Sequence, residues 1–305
     1  MKTLHLSLLL LLCGAGVCSC SKDSAEGSLG PADDNTHVEI VLNGGISAVM
    51  TKADPAVETA TCRIAAWESN SGSVSNYSST AWENASTSVT STSGAITLSP
   101  ARQYNADGGT KTYIKGWAPD ITPANGKVTF TTTNGSVDVL YTGDAISGSK
   151  TDKFSSSRPL TFGHKTSKLI FKVQAGTGLA ANTTLTNIWV KGARVPKEIN
   201  LATDSVTFQS AASELAAYGL TAGTAINSTA ADAGSLMIAP AESVTLKVQT
   251  SNATYDNVVL TDGNNNLSLA EGNAYTVTLT FGQPGIELTS SITPWTSQNH
   301  NQSIQ

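Results

Sequence analysis

The chain has 305 residues, of which 13% are charged and 39% are hydrophobic, and its formal net charge is −5. The charged fraction is about half of the ~25% that is usual in globular proteins, which excludes a coiled coil laced with ion pairs. The sequence contains no block of lysine and arginine residues that could bind nucleic acid. Its apolar residues suffice for a core, which excludes wholesale disorder. Abundant small polar residues are typical of a secreted β protein.

The N-terminus has the pattern of a lipoprotein signal. Residues 1–19 combine a positively charged start with an apolar run at Leu6–Leu12 that is too short to span a membrane, which predicts a secretory signal peptide. The run ends in the letters VCSC, which resemble the bacterial lipoprotein box, with valine at −3 and serine at −1 relative to Cys20. This resemblance implies that Cys20 becomes the acylated first residue. Cys18 fits less well, because a valine would then stand at −1, and plain cleavage without a lipid is the alternative.

The segment after the signal peptide predicts a flexible tether. Residues 20–36 are rich in glycine, proline and aspartate, a composition that favours an unstructured linker. Acidic residues straight after Cys20 resemble the export tether of surface lipoproteins, so we expect the chain to be lipid-anchored in the outer membrane at the cell surface. Only Cys62 remains beyond this region, so no intramolecular disulfide is possible, and its strand-like flanks predict a small core residue.

An alternation of apolar and polar residues with a period of two dominates the rest of the chain and predicts β-strands. A stretch at 142–159 lacks this alternation and places a boundary between an N-terminal β-sandwich domain, residues 37–155, and a C-terminal one, residues 156–305. The predicted strands are Val38–Leu42, Cys62–Trp67, Ile96–Leu98, Thr112–Trp117, Val128–Thr131, Val137–Tyr141, Lys168–Gln174, Thr186–Val190, Val206–Phe208, Val244–Gln249 and Tyr275–Phe281.

Three segments carry other local predictions. Residues 211–218 are predicted to form a short helix, and the Ser/Thr-rich residues 69–93 are predicted to form exposed loops. Asn134-Gly135, between two alternating runs, predicts the tight turn of a hairpin.

Five stretches, taken in order, together resemble the fimbrillin family, the subunits of fimbriae on Gram-negative anaerobes. The resemblance implies an all-β chain with two transthyretin-like β-sandwich domains in tandem. It also implies a structural or accessory subunit of a cell-surface fimbria, or pilus, which assembles with other fimbrial subunits by β-strand exchange and mediates adhesion to a host or bacterial surface. The five stretches are Cys20–Asp23, Met50–Ala53 after the first predicted strand, Phe162–Leu169, Gly272–Leu279 and Ile292–Trp295.

The resemblance further implies how the subunits join. In such fimbriae a trypsin-like protease cuts after a basic residue that follows the first strand, that strand leaves, and a neighbour's strand fills the groove. Here Val38, Ile40 and Leu42 would carry the exchangeable strand, and the candidate cleavage sites are Lys52 first and Arg63 second. Arg63 lies within a predicted strand and should be protected. Lys52 stands where family members carry arginine, so a plain solvated loop lysine is the alternative.

The C-terminal stretch leaves two readings open. Residues 283–295 are strand-like and could donate a strand to a neighbouring subunit. Alternatively they close their own domain, which we favour because little apolar sequence follows them.

No constellation in the sequence supports catalysis, a metal site or a cofactor. His37, His164 and His300 lack metal-ligand spacing, and no Gly-x-Ser-x-Gly elbow or phosphate-binding loop is present. His164, just before a predicted core strand, is interpreted as a structural histidine. The alternative function is a monomeric surface lipoprotein that binds glycans, for which Tyr77 and Trp82 are the stacking candidates.

Overall fold

The computed structural model describes residues 37–47, 58–282 and 286–294, and every regular element within them is a β-strand. The prediction of an all-β chain is therefore confirmed. In the described ranges no helix is long and apolar enough to cross a membrane. The predicted signal peptide and tether lie outside the described residues.

The first half of the described chain builds one large sheet. Its strands are β1 (Leu42–Ile46), β2 (Thr59–Ser69), β3 (Trp82–Thr90), β4 (Gly94–Ile96), β5 (Lys111–Ala118), β6 (Lys127–Thr129), β7 (Leu140–Tyr141), β8 (Ile146–Gly148) and β9 (Leu160–His164). All of these except β6 form an eight-stranded sheet in the order β3-β2-β5-β7-β9-β1-β4, with β8 also paired to β5. Strand β1 therefore lies inside the sheet, between β9 and β4.

The second half builds two main sheets and two small ones. Its strands are β10 (Ser167–Ala175), β11 (Thr184–Lys191), β12 (Pro196–Asn200), β13 (Ser205–Phe208), β14 (Glu214–Ala216), β15 (Thr224–Ala225), β16 (Ala231–Ile238), β17 (Thr245–Thr250), β18 (Thr254–Val259), β19 (Thr261–Asp262), β20 (Asn265–Asn266), β21 (Asn273–Phe281) and β22 (Ile286–Pro294). The sheet orders are β16-β10-β21-β22, β14-β11-β17-β18 with β15 on β11, β13-β12-β6, and β19-β20. Strand β22 pairs with β21 of the same chain over nine residues, which fits the favoured reading that the C-terminal stretch closes its own domain.

The alternation in β10 explains how the second half packs. Leu169, Phe171 and Val173 lie on one face of the strand and are fully buried. They join Ile188 of β11 and Val248 of β17 in one apolar cluster. Because β10 belongs to one main sheet and the other two strands to the second, the two sheets share a core in the manner of a β-sandwich.

Strand β2 in the first half is buried on both faces. Ile64 and Ala66 belong to an apolar cluster with β1 and β9, here called the strand-one cluster, whereas Ala65 and Trp67 belong to another, here called the opposite cluster. The opposite cluster also contains Ile199 of β12, and β12 pairs with β6. A segment beyond the predicted boundary thus covers the N-terminal sheet, and the division into two tandem domains stays a prediction.

The predicted helix at residues 211–218 is wrong. This segment contains β14, which pairs antiparallel with the end of β11. An isolated helix of two turns has a costly nucleus, whereas the edge of an existing sheet offers hydrogen-bond partners at once.

Two further local predictions are also wrong. Residues 69–93 include the nine-residue edge strand β3, which pairs with β2 although its Ser, Thr and Asn residues show no apolar alternation. Asn134-Gly135 does not join a hairpin, because the flanking strands β6 and β7 pair with other strands, and the Gly135 carbonyl accepts a hydrogen bond of 2.7 Å from the Met237 N–H. A contact with β16 therefore replaces local pairing.

Candidate functional site

Strand β1 is paired along both of its edges with strands that are distant in sequence. It runs parallel to β9, with Gly44 opposite Leu160 and Ile46 opposite Phe162. Its other edge runs antiparallel to β4 over three residue pairs. Strand β1 therefore closes a gap in the sheet, and β4 has no other strand partner among the described residues.

The predicted first strand begins four residues before β1, and the backbone there is bonded as well. The Ile40 N–H donates to the Arg102 carbonyl at 2.7 Å, and the Tyr104 N–H donates to the Val38 carbonyl at 2.9 Å. We call residues 38–47 the first-strand segment, because backbone hydrogen bonds or strand pairing hold it at both ends.

The first-strand segment places its buried side chains on one side of the sheet. Ile40, Leu42 and Ile46 are at most 4% exposed and join Phe162 in the strand-one cluster, whereas Val41 is 57% exposed. Full burial of an aliphatic side chain contributes about 2 kcal/mol. Loss of the segment would therefore uncover a substantial part of the N-terminal core.

Two glycines let β1 approach its neighbours closely. A Cβ atom on Gly44 would lie 2.0 Å from the carbonyl oxygen of Leu160, and one on Gly45 would lie 2.6 Å from that of Thr90. Glycine inside a strand marks such close approaches, and it weakens the strand because it adds no side-chain packing. Strand β1 is thus held by its backbone and by a few apolar anchors.

The end of β1 lies close to a cluster of ionisable groups. The Ser47 N–H donates to the Phe162 carbonyl at 2.7 Å, and His164 follows two residues later on β9. Its Nδ1 lies 2.9 Å from the Asp138 carboxylate, and its Nε2 lies 3.4 Å from the carboxylate of Glu58, where the described chain resumes after residue 47. The cluster therefore ties the start of β2 to the end of β9.

The geometry of this cluster places His164 between two carboxylates, which raise its pKa. Burial lowers the pKa of His164, but the hydrogen bonds and charges of Asp138 and Glu58 raise it by more, so that the net pKa is raised above its ordinary value. The three residues offer ligand atoms within 4.8 Å of one another. Three side chains are one ligand fewer than the four of a closed zinc site, and each carboxylate already lies against a ring nitrogen of His164.

Of the predicted lipid-bearing and cleavage residues, Arg63 alone lies among the described residues. Cys20 and Lys52 lie outside the described residues. Arg63 lies within β2, where its guanidinium pairs with Glu83 at 2.6 Å and with Asp120 at 2.8 Å. Because β2 is paired with β3 on one edge and β5 on the other, a protease could reach the Arg63 backbone only after the sheet opens.

The two predicted glycan-stacking residues do not share one surface. The Tyr77 ring packs edge-on against Trp67, with 4.9 Å between ring centroids, next to the opposite cluster. Trp82 packs against the strand-one cluster, and the Arg102 guanidinium lies 5.4 Å from its ring centroid. Glycan binding by this pair stays a prediction, without a common platform behind it.

The sequence predicted the first-strand segment but not the strands that flank it. Ile96 on one side follows the segment by about fifty residues, Leu160 and Phe162 on the other follow it by more than a hundred, and nothing local links them to it. The one available signal was the Gly44-Gly45 pair, because adjacent glycines beside an apolar alternation indicate that another backbone lies close.

Comparison with known proteins gives one family and a set of shared folds. The model of the fimbrillin-like family matches residues 44–295. A proposed cell adhesion protein from Bacteroides uniformis superposes with a TM-score of 0.52 at 19% identity, covering 85% of this chain and 99% of that chain. A second such protein, from Bacteroides ovatus, superposes with a TM-score of 0.52 at 17% identity, covering 87% of this chain and 100% of that chain. The C-terminally truncated tip fimbrial protein of Porphyromonas gingivalis superposes with a TM-score of 0.44 at 12% identity, covering 85% of this chain and 100% of that chain. No curated protein matches the chain.

Proposed function

The chain belongs to the fimbrillin-like family of fimbrial subunits, and we propose that it joins its neighbours by exchanging the first-strand segment. The observation that carries this proposal is the position of β1 inside the N-terminal sheet, between β9 and β4. A strand in that position cannot leave without opening a groove, and only a replacement strand can close the groove again.

The physical chemistry of the groove supports exchange. Departure of the segment would leave backbone N–H and C=O groups of β4 and β9 without partners and would expose the apolar residues beneath Leu42. Such an edge is a template for strand addition, and an incoming strand recovers both the hydrogen bonds and the burial. Because the glycines of β1 contribute no side-chain packing, they weaken the binding of the strand to the sheet, which favours its replacement.

A cut at Lys52 would supply the release step. The lysine stands between Ser47, the last described residue of the first-strand segment, and Glu58, where the described chain resumes. Cleavage there by a trypsin-like protease separates the segment from β2 without breaking any described strand. Arg63 is the poorer site because it lies inside a paired strand.

Cleavage at Lys52 is tested on fimbriae isolated from cells. We expect N-terminal sequencing of the assembled subunit to begin at Ala53, and we expect a Lys52→Gln variant to remain uncleaved and unassembled. Lys111→Gln, which changes an exposed lysine elsewhere, serves as the control. Assembled Lys52→Gln subunits that all begin at Cys20 would contradict the release step.

Exchange itself is tested by binding of a synthetic peptide of residues 37–47 to the trypsin-cleaved chain. We expect a labelled native peptide to be incorporated, a Leu42→Asp peptide to fail, and a Val41→Asp peptide to bind. The last two differ only in whether the new charge falls on a buried or an exposed position. Equal binding of both variant peptides would show that the groove does not discriminate between a charge at the buried position and one at the exposed position.

Anchoring before assembly is assigned to a lipid on Cys20, which holds the subunit at the outer membrane and the cell surface. Acyl chains bury in lipid at about 0.8 kcal/mol per methylene group, so stable anchoring takes more than one chain. We expect labelled palmitate to be incorporated in the native chain and in Cys18→Ala, and to be lost in Cys20→Ala. Labelling of Cys20→Ala at the native level would contradict this assignment.

A further inference from the structure

The groove around β1 leaves no room for side chains where the strand carries its two glycines. A Cβ atom on Gly44 would lie 2.0 Å from the carbonyl oxygen of Leu160 and 2.8 Å from its carbonyl carbon. One on Gly45 would lie 2.6 Å from the carbonyl oxygen of Thr90 and 3.3 Å from the Cα of Ser93. Non-bonded carbon atoms pack best at about 3.5–4.0 Å, so a side chain at either position would displace main-chain atoms of the groove.

The main chains that bound the groove at this point are held by contacts of their own. Thr90 pairs with Thr59 in the ladder between β3 and β2. In the turn that follows, the Glu58 N–H donates to the Ser91 hydroxyl at 3.0 Å, and the Ser91 N–H donates to the Glu58 carbonyl at 2.9 Å. Leu160 is fully buried in the strand-one cluster. A side chain can rotate away from an added atom, whereas these backbones would have to give up hydrogen bonds or core packing.

The C-terminal strand β22 repeats the apolar spacing of the first-strand segment but not its glycines. Residues 40–46 have the sequence IVLNGGI, and residues 286–292 have the sequence IELTSSI. The same isoleucine, leucine and isoleucine therefore recur at the three positions that are buried in the first-strand segment, whereas serines stand at the positions of Gly44 and Gly45. If a second copy of this chain offered β22 to the groove in this register, two Cβ atoms would meet the main chains described above.

We propose that these two positions select the strand that fills the groove, which accepts a strand of a different subunit with two adjacent glycines there and rejects β22 of a second copy of this chain. The inference rests on the proposed function, because it concerns the groove that departure of the first-strand segment opens. Aliphatic residues at the positions of Ile40, Leu42 and Ile46 supply burial, which many apolar strands can offer. The glycine positions supply selectivity, because rejection of a wrong partner requires a clash against it.

Reciprocal substitution at the two positions tests the inference. Fluorescence polarisation measures the binding of four labelled peptides to the trypsin-cleaved chain. The peptides are residues 37–47 with the native sequence, the same residues with Gly44→Ser and Gly45→Ser, residues 283–293 with the native sequence, and those residues with Ser290→Gly and Ser291→Gly. We expect the serines to weaken binding of the first peptide by at least about tenfold, and the glycines to strengthen binding of the other by a similar factor.

A fifth peptide controls for added bulk. Val41→Ile in the 37–47 peptide also adds a methyl group, but at a position that is 57% exposed, and it should bind as the native peptide does. Glycine loses more conformational freedom than serine when a strand forms, so without a clash the serine variant would bind at least as tightly as the native peptide.

The outcomes separate this inference from strand exchange itself. Equal binding of the native and serine forms of the 37–47 peptide overturns the selectivity and leaves exchange standing. Binding of the native 283–293 peptide as tightly as the native 37–47 peptide does the same, because β22 of a second copy would then fit. Failure of the native 37–47 peptide to bind would overturn strand exchange, and the selectivity with it.

Discussion

Among single residues, Lys115 is a fully buried charge that the fold accommodates through three contacts. Its Nζ donates to the Leu201 carbonyl at 2.7 Å and to the Asp204 carboxylate at 2.5 Å, and it lies 4.5 Å from the Tyr77 ring centroid. The Tyr141 hydroxyl donates to the same carboxylate. An ammonium group taken out of water this completely needs its counter-ion, because an unpaired buried charge is strongly destabilising.

Asp204→Asn tests this dependence without changing the shape of the turn. Asp204 has a φ of +56°, a conformation that asparagine adopts as readily as aspartate. We expect the free energy of unfolding to fall by about 3 kcal/mol in urea titrations. Asp232→Asn breaks the surface pair with Lys172 and should cost at most about 1 kcal/mol. Equal costs for the two variants would show that burial does not matter here.

His164 gives the fold a specific pH dependence. Burial lowers its pKa, but the carboxylates of Asp138 and Glu58 raise it by more, so the folded value exceeds the unfolded one. Proton binding therefore favours the folded state: the stabilisation is fully present below the unfolded pKa of about 6.5 and is lost as the pH rises through the folded value. We expect the stability difference between the native chain and His164→Gln to shrink as the pH rises above about 6.5. Urea titrations from pH 5 to 9 measure it, and a difference that grows with pH would contradict the sign.

At the scale of elements, the alternation of side chains predicted the strands whose one face is buried and the other exposed. The predicted Lys168–Gln174 and Tyr275–Phe281 fall within β10 and β21 because their apolar residues recur at every second position. The edge strands β3 and β14 lack this pattern, since their pairing with β2 and β11 comes from the backbone. Pairing between distant segments, such as β1 with β9, leaves no local trace in the sequence.

The close packing of β1 against β9 gives a prediction for Gly44. Gly44→Ala places a methyl group where the Leu160 carbonyl oxygen lies 2.0 Å away, so β1 must move from β9, at a cost of about 2 kcal/mol or more in stability. Gly94, opposite Gly44 on β4, has no atom nearer than 4.0 Å to a built Cβ, and Gly94→Ala should be tolerated. Thermal unfolding compares the two variants. Equal melting temperatures would show that the close approach does not hold β1.

At the scale of the whole molecule, the apolar residues fall into separate clusters, and the first-strand segment belongs to only one of them. Ile40 and Leu42 lie in the strand-one cluster, whereas Phe171 and Val277 lie in the cluster of the second half. The sequence was sufficient to predict Ile40 and Leu42 as buried, because they alternate with the exposed Val41. It could not predict which strands surround them, because that depends on pairings across about fifty residues with β4 and more than a hundred with β9.

This separation predicts that loss of the first strand will act on one part of the molecule. In a chain that begins at Ala53, the amides of β4 and β9 should lose hydrogen-exchange protection by at least about tenfold, because a lost hydrogen bond and its packing exceed 1.4 kcal/mol. The amides of β10 and β21 should keep theirs, since their cluster contains no residue of the first-strand segment. Addition of the 37–47 peptide should restore protection in β4 and β9. Uniform loss in all four strands would instead show that both halves unfold as one cooperative unit, which would contradict the tandem-domain prediction.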